Sequence, residues 1–165
     1  MQHQRIIAAN VGSRASFRYA LLPDDLEPVM ALYRRFYGEA VYKDFIEWDD
    51  ERAAATIEYG IKHHTRPHVL AVVEDEIVGF VCWQLDHSFS KAPVAVLYEL
   101  YVAPERRRSA IGRFLVHLMC WVAKDDGACA IHAPVASGMD AAKSLFNLFT
   151  KAGFEQLGYV MRKKL

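Results

Sequence analysis

The sequence predicts a single α/β domain built on a mixed sheet. Three observations lead there. Of its 165 residues, 53% are hydrophobic and 24% charged, the balance of an ordinary globular chain. Runs rich in β-branched and aromatic residues alternate with runs of helical period. No internal repeat, low-complexity tract or Gly/Ser linker divides the chain, and its length suits one domain with a real core.

Each element has its own signal. Ala15 to Leu22, "ASFRYALL", reads as a first strand. Pro23-Asp24-Asp25 offers a helix start with an Asp cap, and Leu26, Val29, Met30, Tyr33, Phe36 and Tyr37 recur at helical spacing until Gly38. Asp49-Asp50-Glu51 opens a second helix carrying Ala54, Ile57 and Ile61. His68 to Glu74 and Glu76 to Leu85 are β-rich runs joined through Asp75, a hairpin signal. Val94 to Val102 is a third long strand in this middle region. Ile111, Leu115, Leu118 and Val122 line one helical face up to Gly127, and Ala128 to Val135 is an apolar strand. Leu145, Leu148, Phe149 and Ala152 mark a last helix closed by Gly153, and "FEQLGYVMRKKL" finishes with one or two strands around Gly158. The order is β-α-α-β-β-β-α-β-α-β-β, about seven strands and four helices. Residues 1–165 form one domain, with 1–13 expected to be a flexible or loosely attached segment.

Composition excludes some functions. Twenty basic and twenty acidic residues give zero net charge, which argues against nucleic-acid binding by bulk charge. No apolar run reaches the roughly 18–20 residues of a membrane span, and "MQHQRIIAANVGSR" lacks the apolar centre of a signal peptide. A cytoplasmic protein is expected. Cys82, Cys120 and Cys129 are an odd count without framework spacing, as in a reducing compartment. His117/Cys120 and Cys129/His132 are each three apart. The first pair lies on a helix and the second on a strand, so they do not make one tetrahedral site. No metal is expected.

The richest segment joins the strand Val94–Val102 to the helix starting near Gly112. It reads "APERRRSAIGR", four arginines among small residues. The first turn of a helix has unpaired N–H groups and a partial positive charge, and binds phosphate. Ser109, Ala110 and Gly112 let the backbone approach an anion closely, and arginines add bidentate donors. The segment has neither a Walker A sequence nor a G-x-G-x-x-G.

"ELYVAPERRRSAIGRFLVHLM" resembles the acetyl-CoA-binding motif of the GNAT acyltransferase superfamily, Arg/Gln-x-x-Gly-x-Gly/Ala between a long strand and a helix. The motif falls on Arg107, Ala110 and Gly112, after Val102, Pro104 and Glu105. "LFTKAGFEQLGYVMRK" is similar to the family's usual ending, and the order of elements matches its fold, a mostly antiparallel mixed sheet splayed in the middle. The resemblance implies acetyl-CoA as cosubstrate. Its pyrophosphate would rest on Arg108, Ser109, Ala110, Ile111, Gly112 and Arg113. Its pantetheine arm would lie along Leu100, Tyr101 and Val102, where this strand splays from Ala128–Val135. Two departures stand out. Ala110 holds the first motif glycine's place, where a Cβ disfavours positive φ and would reshape the loop. Arg108 stands where a glycine often follows the Arg/Gln, either reaching the cofactor's 3′-phosphate or facing water.

The resemblance also implies a chemistry. Acetyl transfer to an amine needs a base for the ammonium proton, a polarised thioester and a protonated leaving thiolate. Family bases commonly sit on the strand before the motif, at the places of Val96 and Tyr98 or of Glu99. Glu99 is that strand's carboxylate and the first candidate, with Tyr98 second. Strict alternation would aim them at opposite faces, so that one alone faces the acceptor. Either could equally be structural. The tyrosine many members use to protonate the thiolate is replaced: one register puts Phe149 there, beside the cofactor, and the other Phe146. His132 is expected to be packed, and transfer to be direct in a ternary complex. Ten acidic against four basic residues lie between Asp24 and Glu58, interleaved with Tyr33, Phe36, Tyr37, Tyr42, Phe45 and Trp48. That suits a small cationic amine, although helix-start acids and core aromatics look the same. An inactive acyl-CoA-binding module and a protein N-terminus or lysine acetyltransferase are the alternatives. A homodimer through the C-terminal strands is compatible with the sequence.

Overall fold

The structure is a computed structural model that describes residues 15–44, 46–88, 90–135 and 139–158. Five strands form one sheet in the order β1 (Ala15–Tyr19), β2 (His68–Val73), β3 (Glu76–Asp86), β4 (Val94–Val102) and β5 (Ala130–His132). The first three pairings are antiparallel and the last is parallel. Helices α1 (Leu26–Glu39) and α2 (Asp50–Lys62) connect β1 to β2. Helix α3 (Ile111–Asp125) connects β4 to β5, and α4 (Met139–Lys151) follows.

Period-two strands and helical stripes divide the core into two layers. Phe17, Val69, Ala71, Val81, Trp83 and Leu97 face Leu115, Val116 and Met119 of α3 and Phe149 of α4. On the other face, Leu70, Phe80 and Tyr101 meet Val29, Met30 and Tyr33 of α1 and Ile57 and Ile61 of α2. The sheet is therefore covered by α1 and α2 on one face and by α3 and α4 on the other.

Several boundaries differ from the sequence reading. Residues 154–158 form no strand, and 159–165, where the last strands and the dimer edge were expected, lie outside the described residues, as does the 1–13 segment. The sheet thus has five described strands instead of about seven. Strand β5 spans three residues rather than eight; Pro134 lacks a donor N–H and cannot extend a ladder. Asp49 caps α2, accepting from Arg52 N–H at 3.0 Å. Asp25 stands at the N-cap of α1 but makes no cap bond. Its carboxylate instead holds the Arg18 guanidinium at 2.5 and 2.8 Å and the Leu21 N–H at 2.6 Å. The expected hairpin turns through Glu74 and Asp75, both left-handed at φ 52° and 63°, the twist that a two-residue hairpin requires.

Gly79 shows how tightly β3 and β4 approach. A Cβ there would lie 2.8 Å from the Tyr101 carbonyl oxygen, a backbone atom. Gly79→Ala is expected to lower stability by about 2 kcal/mol by prising β4 away, measured as a lower urea midpoint with an unchanged m-value.

Candidate active site

The sheet opens between β4 and β5. Their ladder covers only Val94–Ala130, Ala95–Ile131 and Val96–His132. From Leu97 to Val102 this edge of β4 has no strand neighbour among the described residues.

At that point β4 also carries an irregularity. Trp83 pairs with Leu97 and Cys82 with Glu99, so Tyr98 is the extra residue of a bulge. Strict alternation therefore fails here, and the expectation that Tyr98 and Glu99 face opposite sides is corrected. Glu99 Oε2 lies 3.2 Å from the Tyr33 hydroxyl of α1 and 2.7 Å from Cys82 Sγ. The Tyr98 ring carries the Arg66 guanidinium 3.9 Å from its centroid. Arg66 itself packs on α2, since a Cβ on Gly60 would lie 2.9 Å from its Cβ. Both candidate side chains thus sit on the α1–α2 side. Tyr98 is 45% exposed and Glu99 half-buried.

After β4 the chain makes a 3-10 turn at Pro104–Arg106 and enters α3. Arg107 folds back: its Nε donates to the Val102 carbonyl at 2.9 Å and its Nη2 bonds Glu39 of α1. Glu39 also accepts from the Tyr101 hydroxyl at 2.5 Å. Burial pushes the Glu39 carboxyl up, but the Tyr101 hydroxyl and Arg107 outweigh it and hold it below its usual range. Burial and Glu39 together push the Tyr101 phenol up to about 12. Arg35 and Glu105 form a second bridge, bidentate at 2.9 and 2.7 Å, and the Glu105 carboxyl is drawn down to about 2 by Arg35. These two ion pairs tie α1 to the loop.

The strain in the loop lies elsewhere than expected. Ala110 is the N-cap of α3, at φ −75° and ψ −7°, where a Cβ is harmless. Arg108 is the left-handed residue, at φ 65°, a conformation that disfavours a side chain by roughly 1 kcal/mol. Ser109 Oγ donates to the Arg106 carbonyl at 2.7 Å and accepts from Ile111 N–H at 3.3 Å, and the Phe114 amide makes the first helical bond, to Ala110. Gly112 and Arg113 amides have no intrahelical acceptor, as at any helix start. A Cβ on Gly112 would meet Leu148 and Val102 at 3.7 and 3.8 Å, ordinary contact distances. Packing does not demand glycine there. The Arg113 guanidinium lies 5.7 Å from the Phe114 ring. Phe149 is a core residue, 5% exposed and 5.1 Å from the Phe154 ring, whereas Phe146 is 44% exposed.

The acidic helical region is partly neutralised. Arg34 bonds Glu27 at 2.7 Å and Asp50 at 2.9 Å, beside an open cleft of about 380 Å³ between α1 and α2. Trp48 Nε1 donates to Asp50 at 2.5 Å. His132 is exposed on β5 rather than packed, a correction that goes with β5 having β4 as its one strand neighbour among the described residues.

The acetyltransferase (GNAT) family pattern matches residues 26–154. The chain belongs to the GNAT acetyltransferase family. Its members take the acetyl group from acetyl-CoA. A search of curated proteins finds no match. Among solved structures, the fold is similar to that of the aminoglycoside N-acetyltransferase AAC(6′)-Iy, in complex with a bisubstrate analogue of CoA and acetylneamine, at 15% identity and TM-score 0.75 over 93% of this chain and 99% of that one. It is also similar to an aminoglycoside acetyltransferase from an uncultured soil metagenomic sample in complex with sisomicin, at 21% identity and TM-score 0.69 over 92% and 97%. A possible acetyltransferase of Clostridium difficile 630 matches at 16% identity and TM-score 0.73 over 92% and 97%.

The residues present fit the GNAT cosubstrate. The unpaired edge of β4 offers backbone groups to an extended amide chain. The start of α3 offers amides and a dipole to a pyrophosphate. Arg108 is the loop position whose role is open to a direct test. Arg108→Gly relieves the left-handed strain and removes a cation, so CoA affinity in calorimetry is expected to fall roughly threefold, as for one exposed charge contact, with no loss of thermal stability.

The site also has members that sequence reasoning missed. Tyr33, His68 and Cys82 gather behind Glu99, and Glu39 binds Arg107. They are far apart in the chain, and each reads locally as an ordinary core or helix residue.

Proposed function

We propose that this GNAT protein transfers the acetyl group of acetyl-CoA to the primary amine of a small cationic acceptor, directly, in a ternary complex. The observation that carries this reading is the bulge at Tyr98. It brings Glu99 and Tyr98 to the same side of β4, on the stretch that has left β5.

The residues divide the work. Backbone groups of Leu100 and Val102 hold the pantetheine arm, Tyr101 supports them through Glu39, and the amides from Arg108 to Arg113 hold the pyrophosphate. The bound thioester supplies the electrophilic acetyl group. Glu99 takes the ammonium proton, directly or through water. Tyr98, 45% exposed on the same side, supplies the phenol that Phe146 and Phe149 do not. Tyr33 and Tyr101 are engaged in hydrogen bonds of the interior. Glu27, Asp50 and Glu51 beside the α1–α2 cleft favour a cation there, and the aminoglycoside ligands of the similar folds are small polyamines of that kind. A cytoplasmic location accords with three unpaired cysteines. Among the described residues no helix is long and apolar enough to cross a membrane.

The test is in two stages. Calorimetry with acetyl-CoA is expected to give binding to the native protein and none to Gly112→Trp, with circular dichroism checking that the variant keeps its fold. Free-thiol release is then followed with sisomicin, spermidine, arginine amide and a lysine-containing peptide. Turnover of the small amines supports the proposal; turnover of the peptide alone makes it a protein acetyltransferase. Binding with no turnover supports the second reading, an acyl-CoA-binding module, which the absence of a phenol on α4 favours.

A further inference from the structure

A polar array lies behind Glu99 that the proposed chemistry does not use. Tyr33 of α1, His68 of β2 and Cys82 of β3 are buried, at 7%, 1% and 0% exposure. Tyr33 stacks on Phe80, with centroids 4.5 Å apart. Such groups are expensive to bury unless each hydrogen bond is made.

The proton positions follow one from another. His68 Nδ1 lies 2.9 Å from the Arg66 carbonyl, which only accepts, so Nδ1 carries the hydrogen. Burial lowers the imidazole to about 4, so it is neutral at pH 7 and Nε2 is an acceptor. Nε2 lies 3.0 Å from the Tyr33 hydroxyl, and Glu99 Oε2 lies 3.2 Å from the same hydroxyl on its other side. Burial pushes the Cys82 thiol and the Tyr33 phenol well up, so both keep their protons. Cys82 gives its hydrogen to Glu99. With Glu99 ionised, the single Tyr33 hydrogen faces His68 Nε2, Glu99 Oε2 and, at 3.3 Å, Cys82 Sγ, so the Tyr33–His68 and Tyr33–Glu99 contacts cannot both hold a hydrogen.

We propose that Tyr33 and His68 are positioning residues for the proton that Glu99 takes from the acceptor amine, because those two contacts can both hold a hydrogen only once Glu99 is protonated. This rests on Glu99 being the base. When the ammonium N–H bond breaks and the Glu99 Oε2–H bond forms, Glu99 donates to the Tyr33 oxygen. The Tyr33 O–H turns to His68 Nε2, the imidazole stays neutral, and the Glu99–Tyr33 and Tyr33–His68 contacts each hold a hydrogen. The groups facing Glu99 are Tyr33 from α1, Cys82 from β3 and, through Tyr33, His68 from β2. Tyr98 on β4 is its neighbour, and the Arg66 guanidinium rests on the Tyr98 ring.

The first experiment needs no substrate. Nitrogen-15 NMR of the native protein at pH 7 is expected to show His68 neutral with hydrogen on Nδ1; hydrogen on Nε2 would overturn the assignment. The second uses acetyl-CoA with sisomicin or spermidine, whichever is turned over. Tyr33→Phe keeps the ring stack and is expected to lower kcat about tenfold, the upper end of the net worth of one hydrogen bond, with KM for the amine within twofold. His68→Phe removes the bond that rewards protonated Glu99, so the acid limb of kcat/KM should move to lower pH. In the Tyr33→Phe background, His68→Phe should have no further effect, since it acts through Tyr33. Full kcat in Tyr33→Phe beside an inactive Glu99→Gln sinks the proposal while leaving Glu99 as base. So does an additive double variant. Full activity in Glu99→Gln removes the base itself. Should His68→Phe fail to fold, the tautomer and Tyr33→Phe decide.

Discussion

Glu99→Gln is expected to lower kcat by about 10²- to 10⁴-fold, the range for a positioned base, with acetyl-CoA affinity unchanged in calorimetry. The substitution is nearly isosteric. A glutamine oxygen can still accept from Cys82 Sγ, which lies 2.7 Å from Glu99 Oε2, so thermal stability should shift little. What is lost is the capacity to take up a proton. Undiminished thiol release by Glu99→Gln would move the base elsewhere, to Tyr98 or to solvent. A matching loss of stability and activity would instead mark Glu99 as structural.

The largest effect on stability is expected at Asp25. Its side chain is 7% exposed and holds two nitrogens of Arg18 and the Leu21 amide. Asp25→Ala leaves the Leu21 amide without its acceptor and the guanidinium, 35% exposed, with the Tyr19 carbonyl at 3.1 Å, which costs about 3 kcal/mol for three hydrogen bonds to a carboxylate, or roughly 10 °C in Tm for a chain this size. Asp25→Asn keeps an acceptor for Leu21 and should lose about half as much. The pH dependence has a definite sign. Burial pushes the Asp25 carboxyl up, but Arg18 and the Leu21 amide outweigh it and the net shift is down from 3.8. The stabilisation is therefore present above the ordinary carboxylate range and is lost as pH falls below about 4. Native and Asp25→Ala proteins should converge in Tm on acidification, and a constant gap would contradict this.

Much of the scaffold was legible in the sequence because local chemistry wrote it. The strand Val94–Val102 was read to the residue, and Asp49-Asp50-Glu51 was read as the opening of a helix, which Asp49 caps through the amide of the third helical residue. Asp25 has the same residue type at the same kind of position, yet it turns away from its helix because Arg18, seven residues back, attracts it more strongly than a backbone amide. The bulge at Tyr98 escaped for a different reason. Side-chain alternation is the sequence's only record of strand register, and a single inserted residue reverses the record without leaving a mark. That one residue decides which groups share a face. The loop was placed correctly, but its strain was assigned to Ala110 and lies at Arg108. A motif names positions, whereas φ is settled by how the chain must leave β4 and enter α3. Tyr33, His68 and Cys82 left no local signal, since only the folded sheet brings them to Glu99.

The shared guanidinium of Arg107 gives the enzyme a built-in correlation between its two halves. Glu39 on α1 and the Val102 carbonyl on β4 both hold it. An anion drawn onto the loop competes with Glu39, and anything that repositions α1 changes how available Arg107 is to that anion. Such coupling is reciprocal: if the first substrate tightens binding of the second by some factor, the second tightens the first by the same factor. If acetyl-CoA binds as proposed, salt that weakens the Arg107–Glu39 pair should weaken that coupling.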